Sequence, residues 1–131
     1  MNNEKMTQSI EDYLEILYNN ELKGHGVKIT TLAKEMDVKK PSAHQAVAKL
    51  KEMGMVTHQT YGMIYLTEKG RKKGADIVKR HKLLYDFLTK VLDVPSESAE
   101  IEACGIEHIV SEETIEALTE FLKKYLNQSN N

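Results

Sequence analysis

The chain has 131 residues, of which 40% are hydrophobic, and it carries a formal net charge of −2 and a single cysteine, Cys104. Its length allows one ordinary core or two small subdomains. No apolar run approaches the ~20 residues that a membrane-spanning helix needs, and the N-terminal MNNEKMTQS lacks the basic start and apolar stretch of a secretion signal. Composition therefore excludes a membrane protein and a secreted protein stabilised by internal disulfides, and it predicts a cytoplasmic protein.

The small net charge conceals two segments of opposite sign. Residues 23–80 carry thirteen lysines and arginines against five acidic residues, whereas residues 84–131 carry three against ten. A basic segment suits the phosphate backbone of a nucleic acid, and an acidic segment suits cations or simple solubility. Because many solvated helices have charges of this kind, the asymmetry alone is weak evidence.

Apolar residues at helical spacing predict two helices near the N-terminus. The first runs from about Thr7 to Asn20, with Thr7 or Ser9 as its cap. The second is short, and Thr30 or Thr31 is its predicted cap. The apolar positions of the two helices are Ile10, Tyr13, Leu14, Leu17, Ile29, Leu32, Ala33 and Met36.

A third helix and a β-hairpin follow. Pro41 fits the first turn of this helix, where its missing N–H costs nothing, and Gly54 closes it. Strand-like runs over residues 56–58 and 63–66 flank Gln59-Thr60-Tyr61-Gly62, in which Gly62 permits a turn. Three helices and a hairpin in this order predict a winged helix-turn-helix. The predicted buried side of the third helix consists of Ala43, Val47, Leu50 and Met53.

The second half of the chain is predicted to be helical throughout. A long helix runs from Thr67 to about Val91, and Pro95 breaks it. Two more helices follow, over residues 96–109 and 111–126. The last of them carries an apolar stripe that suits a dimer interface and an intrachain core about equally well. The stripe consists of Ile115, Leu118, Phe121, Leu122 and Tyr125.

The N-terminal end of the third helix has the chemistry of a DNA-reading surface. In a winged helix-turn-helix this end enters the major groove. Gln45 can bond an adenine edge, Ser42 can hold a phosphate, and the lysines can contact phosphate or guanine. Alternatively, these residues form an ordinary solvated helix surface. The predicted hairpin and the basic segment beside them favour the DNA-binding interpretation. The candidate DNA-binding residues are Lys39, Lys40, Pro41, Ser42, His44 and Gln45.

The acidic half contains a candidate metal-binding pattern. Cys104, Glu107 and His108 stand at positions i, i+3 and i+4, which share one face of a helix. Their mixed sulfur, oxygen and nitrogen donors suit Fe, Co, Ni or Zn and tolerate Mn, whereas Mg and Ca do not choose a cysteine. For these five residues alone, a buried cysteine beside an exposed Glu-His pair explains the pattern equally well.

Further donors lie elsewhere in the chain. Asp12 and Glu15 are spaced i and i+3 on the first predicted helix, and His81 lies in the middle of the long one. Taken singly, such carboxylates are usually solvated and such a histidine is usually structural. Asp12, Glu15 and His81 become candidate metal ligands only when they are considered together with the pattern at residues 104–108.

The order of elements and several segments together resemble the diphtheria toxin repressor family, which includes the manganese transport regulators. The resemblance covers nearly the whole chain and is carried by residues 10–15, 40–47, 66–70, 80–84 and 102–108. It implies a mainly α fold: a winged helix-turn-helix DNA-binding domain with a small hairpin wing over residues 1–70, then an all-helical metal-binding and dimerisation domain over residues 71–131. We do not expect the family's SH3-like third domain in this chain, nor ligands from it.

The resemblance also implies a function and a ligand set. The function is that of a transcriptional repressor of metal-ion homeostasis, which binds palindromic operator DNA as a homodimer when Fe(II) or Mn(II) is bound; Zn, Co or Ni can replace these ions in vitro. Asp12, Cys104, Glu107 and His108 match one metal site of the family. Glu15 and His81 match contributors to a neighbouring site in the manganese-type members.

The match to the two branches of the family is mixed. Asp12 is typical of the manganese branch, whereas Cys104 is typical of the iron branch. Tyr85 stands where iron-type members have a glutamate, and Glu100 stands where they have a histidine, so a second site of the iron type is not expected.

The implied ligands come from both the DNA-binding half and the dimerisation half of the chain. A metal bound by them would fix the angle between these halves. A coupling free energy of about 1–3 kcal/mol would then raise the affinity for operator DNA several-fold to ~100-fold.

Two rival functions are distinguishable. A winged-helix regulator without metal control would use Cys104 and His108 only structurally. A metalloenzyme would need an open coordination position and a base, and the sequence has no obvious motif for either. We therefore expect no enzymatic activity.

Overall fold

The computed structural model describes residues 6–59 and 62–129, which divide between two compact units, Met1–Asp76 and Ile77–Asn131. The elements in chain order are α1 (Gln8–Leu22), α2 (Ile29–Met36), α3 (Lys40–Glu52), β1 (Val56–His58), β2 (Ile64–Leu66), α4 (Glu68–Asp86), a π-helical segment (Phe87–Val91), α5 (Ser96–Ile106) and α6 (Glu112–Ser129). The predicted fold class, mainly helical with a winged helix-turn-helix, is confirmed. No helix in the described part of the chain is long and apolar enough to cross a membrane.

Helix α1 begins as the sequence predicts. The Thr7 hydroxyl accepts a hydrogen bond from the Ile10 N–H at 3.2 Å, which satisfies one of the donors that a helix start leaves unpaired. The helix continues two residues beyond the predicted end at Asn20. Its side chains Tyr13 and Leu14 are buried, and this burial raises the pKa of the Tyr13 phenol.

The predicted cap of α2 is wrong. The helix starts at Ile29, so Thr30 and Thr31 lie inside its first turn, where both are exposed. The reason is tertiary: Val27 pairs with Ile64 of the hairpin, and the extended backbone continues through Lys28. The helix therefore begins directly after this bridge.

Helix α3 buries Ala43, Ala46, Val47 and Leu50. Pro41 lies in its first turn, as predicted. The prediction missed Ala46, and Met53 is only half-buried because it is the C-terminal cap.

Strands β1 and β2 form the predicted antiparallel hairpin, in which Val56 is opposite Leu66. Residues 60 and 61 of the predicted turn lie outside the described residues. On the far side of the turn, the Gly62 N–H donates to the Gln59 carbonyl at 2.8 Å. A Cβ at Gly62 would lie 3.2 Å from the same carbonyl, so a larger residue would require a small shift of its neighbour.

The start of α4 is fixed against the base of the hairpin. The Thr67 hydroxyl donates to the Gly54 carbonyl at 2.6 Å and accepts from the Gly70 N–H at 3.1 Å. Gly70 lies directly against the Met55 carbonyl, where a Cβ has no room. The sequence therefore needs a glycine at this position to bring the first turn of α4 onto the backbone before β1.

The C-terminal unit differs from the prediction at the helix ends. The predicted long helix does reach Val91, but its last part, Phe87–Val91, is π-helical. Helix α5 ends at Ile106, three residues before the predicted end, and α6 continues to Ser129 instead of residue 126. The Ser111 hydroxyl accepts from the Thr114 N–H at 3.2 Å and so begins α6.

The apolar stripe of α6 divides between core and surface. Ile115 and Leu122 are buried, whereas Phe121 and Tyr125 are 48% and 36% exposed. The Phe121 ring packs edge-on against Phe87 at 6.1 Å and stacks on Tyr125 at 5.9 Å. Part of the stripe therefore belongs to the intrachain core, and an aromatic group of it stays at the surface.

Candidate metal centre and nucleic-acid interface

The predicted ligand pattern forms at the end of α5. Cys104 lies in the last turn of the helix, Glu107 is its C-terminal cap and His108 follows. The helical face continues past the end of α5 because Glu107 keeps helical dihedral angles and its N–H donates to the Ala103 carbonyl at 3.0 Å. One potential ligand atom of each of the three side chains lies within 4.8 Å of the others.

The Glu107 carboxylate lies between two imidazoles. Its Oε2 is 3.2 Å from Nδ1 of His81 on α4, and its Oε1 is 3.4 Å from Nε2 of His108. The residue is only 1% exposed, and neither carboxylate oxygen has a hydrogen-bond donor in suitable geometry among the described residues. Burying a charged carboxylate without hydrogen bonds destabilises the folded protein unless a neighbouring cation compensates the charge. The carboxylate takes part in two groups of potential ligands, one with the Cys104 thiol and the His108 imidazole and a second with His81, and the donors of both groups suit a divalent transition metal.

His81 faces a second carboxylate, that of Glu100, whose position in the sequence indicated only a departure from the iron-type pattern. Its Nε2 lies 2.9 Å from Oε1 of Glu100 on α5. The Glu107 carboxylate raises the pKa of His81 to about 9, desolvation opposes this shift, and Glu100 adds to it. In the metal-free protein the imidazole is therefore protonated at neutral pH.

Metal binding should become tighter as the pH rises from 7 to 9. Because a metal binds neutral imidazole, it must displace a proton from His81 below pH about 9, and each displaced proton changes the apparent affinity by up to about tenfold per pH unit. Calorimetric titration with Mn(II) at several pH values measures this slope. The same shift stabilises the metal-free fold fully below the ordinary pKa of 6.5, and this contribution is lost as the pH rises through about 9.

The control is His81→Gln, in which proton release should be limited to the remaining ligands, chiefly Cys104. An affinity that is constant between pH 7 and 9 in the unsubstituted protein would contradict the participation of His81.

Arg80, the residue before His81 on α4, binds the segment of chain that follows His108. Its guanidinium donates to the Val110 carbonyl at 2.8 Å and pairs with Glu112 at 2.7 Å. Its side chain is only 16% exposed. Neighbouring residues of α4 thus contact both ends of the stretch from Glu107 to Glu112.

The other predicted ligands belong to the N-terminal unit. Asp12 and Glu15 lie one turn apart on α1, and in the sequence they flank the buried residues Tyr13 and Leu14.

Tyr85, the second departure from the iron-type pattern, lies on α4 one turn after His81. Its carbonyl accepts a hydrogen bond from the Thr89 hydroxyl.

The predicted DNA-reading residues are displayed together on the N-terminal unit. All six are exposed, at the cap and in the first two turns of α3: Lys39, Lys40, Pro41, Ser42, His44 and Gln45.

A cationic groove of about 750 Å³ lies between α3 and the hairpin. Lys40 and His44 line it together with Lys28, Lys51 and His58, which the sequence analysis did not select. Lys51 also links the two walls, since its Nζ donates to the His58 carbonyl at 3.4 Å. The basic charge of residues 23–80 was the available signal, but only the packing of the hairpin shows which lysines share a surface with α3.

Two family models match consecutive parts of the chain. The model for the iron-dependent repressor N-terminal DNA-binding domain matches residues 5–64, and the model for the iron-dependent repressor metal-binding and dimerisation domain matches residues 67–128. A relative from Methanocaldococcus jannaschii, named an uncharacterised HTH-type transcriptional regulator, is 38% identical over 92% of this chain and 97% of its own length. The chain belongs to the iron-dependent repressor family. The resemblance drawn from the sequence is therefore confirmed.

Two further comparisons place the chain within the iron-dependent repressor family. The HTH-type transcriptional regulator MntR of Oceanobacillus iheyensis is 34% identical over 91% of this chain and 80% of its own length. A solved structure, described as a manganese-dependent transcriptional repressor in complex with manganese, has a TM-score of 0.80 at 30% identity over 87% of this chain. The match covers 52% of that solved chain, so our chain spans about half its length.

Proposed function

We propose that this member of the iron-dependent repressor family is a transcriptional repressor of metal-ion homeostasis, which binds DNA as a homodimer when Fe(II) or Mn(II) is bound. The observation that carries the proposal is the buried Glu107 carboxylate, which lies between two imidazoles and beside a cysteine and whose oxygens have no hydrogen-bond donor in suitable geometry among the described residues. Membership of a family described by its metal-binding, dimerisation and DNA-binding domains supports the same function.

The proposed ligands are those predicted from the sequence: Asp12, Glu15, His81, Cys104, Glu107 and His108. A bound metal would supply the positive charge that compensates the Glu107 carboxylate once His81 has given up its proton. Glu107 offers one oxygen towards each imidazole, and Cys104 adds a thiolate, which Fe, Co, Ni and Zn accept readily. We therefore expect Zn, Co and Ni to bind in vitro as well as Fe and Mn.

The DNA-binding role is assigned to the domain over residues 1–70. The exposed residues at the start of α3 would contact base edges and phosphates, and the lysines of the cationic groove would contact the backbone. The domain over residues 71–131 would bind metal and dimerise, and the exposed aromatic pair Phe121 and Tyr125 suits a contact with a second copy. A two-fold dimer would read a palindromic operator.

We also propose that the protein acts in the cytoplasm and has no enzymatic activity. The relatives in the comparison are named as transcriptional regulators. The donor set of the metal centre is closed by protein ligands in this proposal, which leaves no dedicated position for a substrate.

Metal should control DNA binding. The metal-loaded protein first selects its binding sequence from a random DNA pool, and the selected sequence is expected to be palindromic. Anisotropy of this DNA, labelled and titrated with protein, should then show an affinity several-fold to about 100-fold higher with Mn(II) or anaerobic Fe(II) than with a chelator. Equal affinity in both conditions would instead indicate a winged-helix regulator without metal control.

A further inference from the structure

The two ring nitrogens of His81 have different surroundings. Nδ1 lies 3.2 Å from the buried Glu107 carboxylate, and Nε2 lies 2.9 Å from Oε1 of Glu100. Within the described chain, Nδ1 is buried without a hydrogen-bonding partner, whereas the distance to Glu100 is typical of a charge-assisted hydrogen bond. Nε2 is thus held by Glu100, and Nδ1 remains on the side of Glu107, itself a candidate metal ligand.

We propose that Glu100 is a positioning residue for the metal. It accepts a hydrogen bond from Nε2 of His81, selects the tautomer without a proton on Nδ1 and directs Nδ1 to the metal. The inference rests on the proposed function, because it assigns Glu100 a role towards the metal bound there. Imidazoles that bind metals generally donate their second N–H to a carboxylate, a carbonyl or water, and this partner fixes the orientation of the ring.

The placement of Glu100 on α5 supports this role. Glu100 and Cys104 are one turn apart on the same helix, so α5 carries both a proposed ligand and the partner of a second ligand on one face. The Glu100 side chain is 64% exposed, and as a surface ion pair alone it would contribute little. Its partner His81, however, is only 16% exposed and lies against the fully buried Glu107 side chain, where a change in ring orientation alters the whole set.

The test compares Glu100→Ala with Glu100→Gln in the full chain. Glutamine keeps an oxygen that can accept the Nε2 hydrogen, whereas alanine removes the acceptor. Mn(II) affinity, measured at one neutral pH from the EPR signal of the free ion, should fall about 10- to 100-fold in Glu100→Ala and much less in Glu100→Gln. The control is Glu102→Ala, which removes an exposed glutamate of the same helix and should bind Mn(II) like the unsubstituted chain.

A second readout separates positioning from general weakening. Long-range proton–nitrogen NMR spectra of the Zn(II)-loaded protein report which nitrogen of His81 binds metal. We expect Nδ1 to be bound and Nε2 protonated in the unsubstituted chain and in Glu100→Gln, and this preference to be lost in Glu100→Ala. Circular dichroism verifies that each variant is folded.

Several outcomes would overturn the inference. They are an unchanged Mn(II) affinity in Glu100→Ala, metal on Nε2 of the unsubstituted chain, and equal losses in the alanine and glutamine variants, since equal losses would make charge the cause. A different result, no metal signal at His81 in the unsubstituted chain, would reject the proposed metal centre together with this inference. The state of the unsubstituted chain therefore distinguishes the two failures.

Discussion

Glu107→Gln is expected to abolish most of the stabilisation that metal gives to the protein. Glutamine has nearly the same shape, but its neutral amide would not supply the negative charge that Glu107, beside His81 and His108, would offer to a divalent ion. At a free Mn(II) concentration of 100 times the dissociation constant, the unsubstituted protein should gain about 2.7 kcal/mol in the free energy of unfolding. A variant that binds 100-fold more weakly should gain about 0.4 kcal/mol at the same concentration.

Urea unfolding with and without Mn(II), followed by circular dichroism, measures this difference. Glu116→Gln, which changes an exposed glutamate on α6 in the same unit, is the matched control and should gain as much as the unsubstituted protein. If Glu107→Gln keeps the full stabilisation by Mn(II), the assignment of this carboxylate as a ligand is wrong.

Gly70→Ala is expected to destabilise the N-terminal unit by about 1–3 kcal/mol. The added methyl group would overlap the Met55 carbonyl, so the first turn of α4 must move away from the base of the hairpin. That movement would disturb both hydrogen bonds of the Thr67 hydroxyl, to Gly54 and from Gly70. A lower urea midpoint of the metal-free protein is the expected measurement.

Gly105→Ala is expected to change the free energy of unfolding in the opposite direction. A Cβ at Gly105 meets no atom within 4 Å, and alanine in a helix is favoured over glycine by up to about 1 kcal/mol. This variant should therefore be slightly more stable than the unsubstituted protein. A Gly70→Ala protein with an unchanged or higher midpoint would show that the contact with Met55 is not as close as described.

The sequence predicts the N-terminal unit well where local patterns decide the structure. The cap at Thr7, Pro41 in the first turn of α3 and the hairpin pairing all follow from local chemistry. The start of α2 does not, because the pairing of Val27 with Ile64, which is remote in sequence, keeps the preceding backbone extended. A threonine at a plausible cap position cannot reveal such a bridge.

In the candidate metal centre too, local spacing predicts some contacts, whereas others depend on tertiary packing. The spacing of Cys104, Glu107 and His108 is enough to bring their ligand atoms together, since one helical turn suffices. The contact of Glu100 with His81 depends on how α5 packs against α4, and no spacing in the sequence indicates it. Lys28 and Lys51 were missed for the same reason, because the hairpin brings them to one groove.

The attachment of Val110 and Glu112 to Arg80 bears on the conformational entropy that metal binding would cost. None of these three residues is a proposed metal ligand, so their contacts tie the backbone after His108 to α4 independently of the metal-binding side chains. Binding then costs little conformational entropy at this turn, as in any preorganised receptor. A metal bound at the end of α5 would therefore not need to order the turn that follows His108.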